Sequence, residues 1–219
     1  EYSPDGLGTV ENMMEYAASV GFKSLAITDH GTCGGHVSFW SAARNHGIKT
    51  IFGNELYVVH AGKRGHLTML VRNQVGYENL LKINNLSYEQ KDSRGFPVVT
   101  LDDIAKYSSG LIALSGCSAS PLYFGTDADA MSYAGSLYDI FGRENFFAEV
   151  MGVISEDNYT RPRMIANKLG LTMVITNDTH FARKQDANAH TVMCISRKGF
   201  DYTSQELYLK TREEMLGTK

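Results

Sequence analysis

Apolar positions along the chain fall into two alternating rhythms. After Thr9, the residues Val10, Met13, Met14, Ala17 and Val20 recur at helical spacing, and Gly21 ends the run. "KSLAITDH" then gives a short apolar stretch of strand length. The alternation continues: "HVSFWSAARNHG" reads as a helix, "KTIFGNELYVV" and "HLTMLVRN" as strands, and "GYENLLKINNLSY" as a helix with Leu80, Leu81 and Ile83 inward. "GLIALSGC", "NFFAEVM" and "TMVITNDTH" read as further strands. "DADAMSYAGSLYDIFG", "RPRMIANKLG" and "QDANAHTVMCIS" read as helices, the second stopped by Gly170. Six short, almost wholly apolar strands with helices between them predict an α/β fold around a parallel sheet buried on both faces. The segment "QKDSRGFPVVT", 90–100, is the most polar connection. With no linker or short-period repeat, one domain over residues 1–219 is expected.

Charge narrows the chemistry. A net charge of -3 excludes a generally basic nucleic-acid binder, so any such contact must come from a local patch or through metal. Three widely spaced cysteines make no disulfide framework and fit a reducing, cytoplasmic compartment. No apolar run approaches a membrane span, and no membrane partner is expected.

Strand ends carry the candidate chemistry. Asp29 and His30 close the first strand, Glu55 follows "IFGN", and His66 opens "HLTML". Cys117 closes "LIALSGC", and Asp178 and His180 close "VITNDTH". Imidazole, carboxylate and thiolate together suit zinc, with manganese or iron where carboxylates dominate. A carboxylate such as Glu55 can bridge two metals that activate water and clamp a phosphoryl group. Asp29 reads as a hydrogen-bonding partner of a ligating ring or a loop amide. Cys33 and Cys194 read as small buried hydrophobes, and His36, His46, His60 and His190 as structural or solvated. Each candidate taken singly has an ordinary explanation; five ligand-bearing ends on one sheet edge point jointly to a metal site. A triad of Cys117, a histidine and Asp178 is the rival chemistry, but "SGC" lacks elbow glycines on both sides. No Walker A loop or GxGxxG is present.

Taken in order, "YSPDG", "ITDHG", "FGNELYV", "HLTML", "LIALSGC" and "ITNDTHF" resemble the motifs of the polymerase and histidinol phosphatase (PHP) family. "GYENLLKINNLSY", "YSSGLIALSGC", "DANAHTVMCI" and "ELYLKTREEM" are similar to the branch found at the front of bacterial replicative DNA polymerase III alpha subunits. The resemblance implies a distorted (β/α)7 barrel with up to three metals, zinc or manganese, at its C-terminal face. It implies Asp5, His30, Glu55, His66, Cys117, Asp178 and His180 as ligands. Glu55 would bridge two metals, His66 and Cys117 would hold one of these, and Asp178 would join the first. His30 and His180, with Asp5, would serve the third. Asp5 enters only by this route; by itself it reads as a turn residue. The family's first strand, ending in His-x-His, would precede "YSPDG", and the chain starts at Glu1. A barrel lacking its first strand is therefore expected.

The implied activity is metal-dependent phosphodiester hydrolysis, a 3′–5′ exonuclease with Glu55, Asp178 and His180 at its catalytic heart. Its partners would be a DNA 3′ end, single-stranded or at a primer-template, and a polymerase core or other replisome subunits. Lys63, Arg64, Lys91 and Arg94 lie in loops that could touch the strand backbone. Two alternatives stand beside it: an inactive structural module supporting a polymerase, and a small-molecule phosphatase or pyrophosphatase.

Overall fold

A computed structural model describes residues 3, 5–151, 156–197 and 204–217, with the backbone alone at 156–158. Tyr2 and Pro4 of "YSPDG" lie outside the described residues. Six strands appear: β1 (Ser24–Ile27), β2 (Lys49–His60), β3 (Lys63–Val71), β4 (Leu111–Leu114), β5 (Phe146–Met151) and β6 (Met173–Thr176). Their sheet order is β1-β2-β3-β4-β5-β6. The helices read from the sequence are α1 (Val10–Ser19), α2 (His36–Asn45), α3 (Gln74–Glu89), α5 (Asp127–Phe141), α6 (Glu156–Leu169) and α7 (Ala187–Ser196). Two short helices add to them, α4 (Leu101–Lys106) and α8 (Arg212–Gly217). Capping explains the starts. Thr9 accepts from the Asn12 N–H, and Thr126 and Asp129 cap α5 reciprocally. A second reciprocal cap, Thr100 with Asp103, starts α4, whose length is too short for the periodic pattern to reveal.

Strand directions depart from the parallel sheet that the sequence predicts. β2 pairs antiparallel with β3 from Gly53↔Leu70 to His60↔Lys63, and β3 pairs antiparallel with β4. Only β4 and β5, joined through α5, form a parallel pair among the registers resolved. The cause is a two-residue turn, Ala61-Gly62, with φ of 48° and 72°. Both residues are left-handed, which matches strand twist and folds β2 directly onto β3 without a helix between them. Ala61 hides the turn in the sequence, because this geometry normally announces itself with Asn or Gly.

The chain gathers into two compact units. One comprises residues 1–27, 34–51 and 176–219; the other, 28–33 and 52–175. In the second, the hairpin sorts its side chains by alternation. Leu56 faces Leu67 across the ladder, and both join Val58, Met69, Leu80, Ile83, Tyr133 and Phe146 in the core. Each such side chain contributes about 1.5–3 kcal/mol on burial. The opposite face carries Glu55, Tyr57, His66 and Thr68. In the first unit, α1 buries Met14 and Ala17, and α2 buries Phe39, Ala42 and Ala43. No helix among the described residues is long and apolar enough to cross a membrane.

Candidate metal centre

Three ligand-type side chains converge in the second unit. Tyr57 lies opposite His66 and Glu55 opposite Thr68, so Glu55 and His66 are diagonal neighbours on one face of the hairpin. His30 joins them through a parallel bridge between its backbone and that of Glu55. The Glu55 N–H donates to the Asp29 carbonyl at 3.1 Å, and the Gly31 N–H donates to the Glu55 carbonyl at 2.9 Å. These two bonds fix where His30 points. Its Nδ1 lies 2.5 Å from Glu55 Oε2, and His66 Nδ1 lies 3.3 Å from the same oxygen. Ligating atoms of all three residues fall within 4.8 Å of one another.

Electrostatics agree with the geometry. Burial would raise the Glu55 carboxyl, but hydrogen bonds and charge from His30 and His66 outweigh it and hold the group well below the usual carboxylate range. Glu55 is thus ionised at 6% exposure. A buried carboxylate needs compensation from positive charge or hydrogen-bond donors, and the His30 and His66 rings lie close enough to supply it. A divalent cation among the same atoms would supply it equally, with both rings neutral as ligation requires. The donor set of two imidazoles and a carboxylate therefore fits a divalent metal ion.

Cys117 touches this set at His66. Its Sγ lies 3.3 Å from His66 Nδ1. The turn that brings it there has Gly116 at φ 88°, where a Cβ would stand 2.7 Å from the His66 carbonyl oxygen. Glu149 on β5, 3% exposed, accepts the Gly116 N–H at 2.8 Å, while its own N–H donates to Ser115 Oγ at 2.8 Å. Ser120 Oγ donates to the Ser115 carbonyl, and the His66 N–H to the Ala119 carbonyl, closing the loop onto β3. Cys33 is a different kind of cysteine. Burial pushes its thiol up to about 11, with Asn54 opposing and Asp29 reinforcing the shift, so it stays a neutral thiol as the sequence suggests.

Asp5, Asp178 and His180 gather in the first unit. His180 Nδ1 is 2.9 Å from the Asp178 carbonyl and 3.6 Å from its Oδ1. His180 Nε2 is 3.4 Å from Asp5 Oδ2. Burial lowers the His180 pKa, but the Asp5 hydrogen bond and the charges of Asp178 and Asp5 more than offset this and raise it to about 9. Asp5 is 1% exposed, and its carbonyl sits 2.8 Å from His190 Nε2. The Asn177 amide donates to the carbonyls of Glu206 and Tyr208 at 3.1 and 2.7 Å. The His180 N–H donates to the Leu207 carbonyl, so "ELYLK" runs as a brace along "NDTHF". Lys210, with its side chain fully buried, anchors that brace through Glu206 at 2.8 Å.

The seven candidates are divided between the two groups, and three of them are not at strand ends: Asp5 stands ahead of α1. Glu55 and His66 sit inside β2 and β3, because the hairpin carries both strands past the expected edge. Asp29 meets Glu55 through its backbone carbonyl, whereas the sequence reading assigns the supporting part to its carboxylate. Glu149 and Asn177 escaped the sequence reading as supports, whereas His190, structural or solvated by that reading, is fully buried. Only His190 left a signal, sharing the helical spacing of Ala187 and Cys194 on the buried face of α7.

The PHP domain pattern matches residues 1–152 of the chain. The chain belongs to the PHP domain family. It is 32% identical over 237 residues to the DNA polymerase III subunit alpha of Treponema pallidum (strain Nichols), covering 96% of this chain and 20% of that protein. The Thermus aquaticus subunit of the same description is 32% identical over 243 residues, again covering 96% and 20%. This PHP chain therefore spans about a fifth of the length of these curated relatives. Among solved structures, it resembles an amidohydrolase from Chromobacterium violaceum, with a TM-score of 0.59 and 16% identity over 80% of this chain and 84% of the other. A protein from Bifidobacterium adolescentis, assigned as a metal-dependent phosphoesterase, gives a TM-score of 0.59 and 13% identity with the same coverage. At such identities the likeness concerns the fold. The mixed α/β fold is thus shared with both of these proteins.

Proposed function

We propose that this PHP domain is a metal-dependent phosphodiester hydrolase, a 3′–5′ exonuclease acting on DNA ends beside a polymerase core or other replisome subunits in the cytoplasm. The observation that carries the reading is the convergence of His30 and His66 Nδ1 on one Glu55 oxygen, with Cys117 Sγ 3.3 Å from His66. The names of the polymerase III alpha relatives supply the DNA context.

When bound, up to three zinc or manganese ions would lower the pKa of a water molecule and neutralise charge on the phosphate. The remaining work belongs to the chain. Glu55, already ionised, orients His30 and His66 and would supply the carboxylate ligand of that set. Cys117 adds a thiolate to the His66 side of the set. In the first unit, Asp178 and Asp5 flank His180, which holds a proton in the ion-free protein. The ring would have to give up that proton to serve as a ligand. Bound cations would offset the negative charge of Asp5, Glu55 and Asp178 that otherwise repels a DNA phosphate.

Metal analysis of the full native polypeptide, combined with a 3′-end trimming assay, tests the reading. The expected result is two to three equivalents of metal and trimming of single-stranded DNA that is lost in His180→Ala. A folded protein that takes up no metal would leave a structural module instead. Hydrolysis confined to small phosphoesters or pyrophosphate would reassign the substrate.

A further inference from the structure

We propose that Phe96 is a stacking platform for the base at the 3′ end of a single-stranded DNA, placed beside the His30–Glu55–His66 set. The observations begin at Tyr57, which shares the hairpin face with these residues. Its ring centroid lies 5.2 Å from that of His66 and 6.0 Å from that of His30, stacked on the latter at 16°. Phe96 meets the Tyr57 ring edge-on at 5.5 Å. An aromatic strip therefore runs from the candidate ligands through a buried Tyr57 to a Phe96 that keeps 36% of its surface exposed. One ring, Tyr57, separates Phe96 from the candidate ligands.

Phe96 is exposed but not loose. Asp92 Oδ1 accepts the N–H groups of Arg94 and Phe96 at 2.9 and 3.0 Å. The Asp92 N–H donates back to the Phe96 carbonyl at 3.0 Å. Arg64 donates to Asp92 Oδ2 at 2.8 Å, and its guanidinium lies 3.7 Å from the Phe96 centroid, covering one face of the ring. A loop held this tightly around an exposed aromatic has paid its ordering entropy before any ligand arrives. Charge points to the same occupant. Lys63, Arg64, Lys91 and Arg94 stand on the two segments, 61–65 and 91–97, against the single acid Asp92. In an otherwise acidic protein, an aromatic ring set among cations matches the pairing by which single strands are held: bases on rings, phosphates on cations.

The phosphodiesterase reading says what happens to the strand, whereas this inference concerns how it is seated, so the experiment separates the two. Binding of a 3′-labelled oligothymidylate is measured by fluorescence anisotropy, alongside hydrolysis of that oligonucleotide and of bis(p-nitrophenyl) phosphate. Phe96→Ala is expected to weaken oligonucleotide binding about tenfold and to raise KM by the same factor. Metal content and hydrolysis of the small diester stay at wild-type levels, which a merely structural Phe96 would not allow. Phe96→Trp in a Trp40→Phe background, which removes the chain's one native tryptophan, restores binding and shows fluorescence quenched on titration with the oligonucleotide. A wild-type protein that binds but does not cleave, with binding weakened by Phe96→Ala, would support the platform and sink the hydrolase alone. Cleavage with Kd and KM unchanged in Phe96→Ala, an unquenched Phe96→Trp, or a wild-type protein that binds no oligonucleotide would overturn it.

Discussion

The two candidate ligand sets hold similar side chains by different means. In the second unit, Glu55 and His66 stand on paired strands, and a ladder running from Gly53↔Leu70 to His60↔Lys63 sets their spacing. Moving either ligand would require moving the ladder. In the first unit, Asp5, Asp178 and His180 lie on irregular backbone, and individual bonds from Asn177, His190 and "ELYLK" replace the ladder. A ligand on a strand inherits its position from many cooperative bonds, whereas one on a loop depends on a few supports that a single substitution can remove. Cys117 stands between the two cases: it lies on a turn, but one that Glu149 ties to β5.

Removing the shared acceptor should have the largest effect. Glu55→Ala takes away the oxygen on which both imidazoles converge, and a loss on the order of 10³ in kcat is expected, the scale of a lost charge-stabilising group. Steady-state turnover with metal content measured in parallel checks this. A Glu55→Ala enzyme with wild-type turnover would remove the hairpin set from the chemistry altogether.

Cutting a support should cost less, and unequally. Glu149→Ala leaves the Gly116 N–H without its acceptor, which costs about 1–3 kcal/mol of stability and about 10–100-fold in metal affinity. Glu149→Gln keeps an acceptor oxygen and should lie much nearer to wild type. Denaturant melts and competitive metal titrations on both variants read the difference; equal losses in the two would mean that the charge of Glu149, not its hydrogen bond, is what counts.

Asn177→Ala sharpens the contrast between the units. It removes two bonds between the ligand loop and its brace, and about a tenfold loss of metal affinity is expected, confined to the ions held by Asp178 and His180. Thr68→Val, directly across the ladder from Glu55 on the same hairpin face, should leave metal affinity unchanged because the ladder survives it. A reversal of these two results would end the distinction drawn between ladder and brace.

Much of this was legible in the sequence, for reasons that differ by residue. Helix starts at Thr9 and Thr126 show their caps, and the six strands show their apolar runs. His30, Glu55, His66, Cys117, Asp178 and His180 stood out because imidazoles, carboxylates and a thiol beside apolar runs are a chemical signal that needs no coordinates. Asp5 needed the family resemblance, since alone it is a turn aspartate. The direction of β3 was illegible because its turn uses Ala61, and the displaced strand edge followed from that one residue. Glu149 and Asn177 were illegible for a deeper reason. A buried carboxylate in "NFFAEVM" and an amide in "VITND" acquire a purpose only from the backbone atoms that folding sets before them.

The central claim is that the hairpin set is a metal centre with sulfur in its coordination shell. X-ray absorption at the zinc edge of the zinc-loaded protein, compared with Cys117→Ser, tests it most directly. The account predicts nitrogen and oxygen scatterers at about 2.0–2.2 Å and a sulfur at about 2.3 Å that vanishes in Cys117→Ser. Zinc that does not bind, or that binds with an unchanged spectrum in Cys117→Ser, would contradict it.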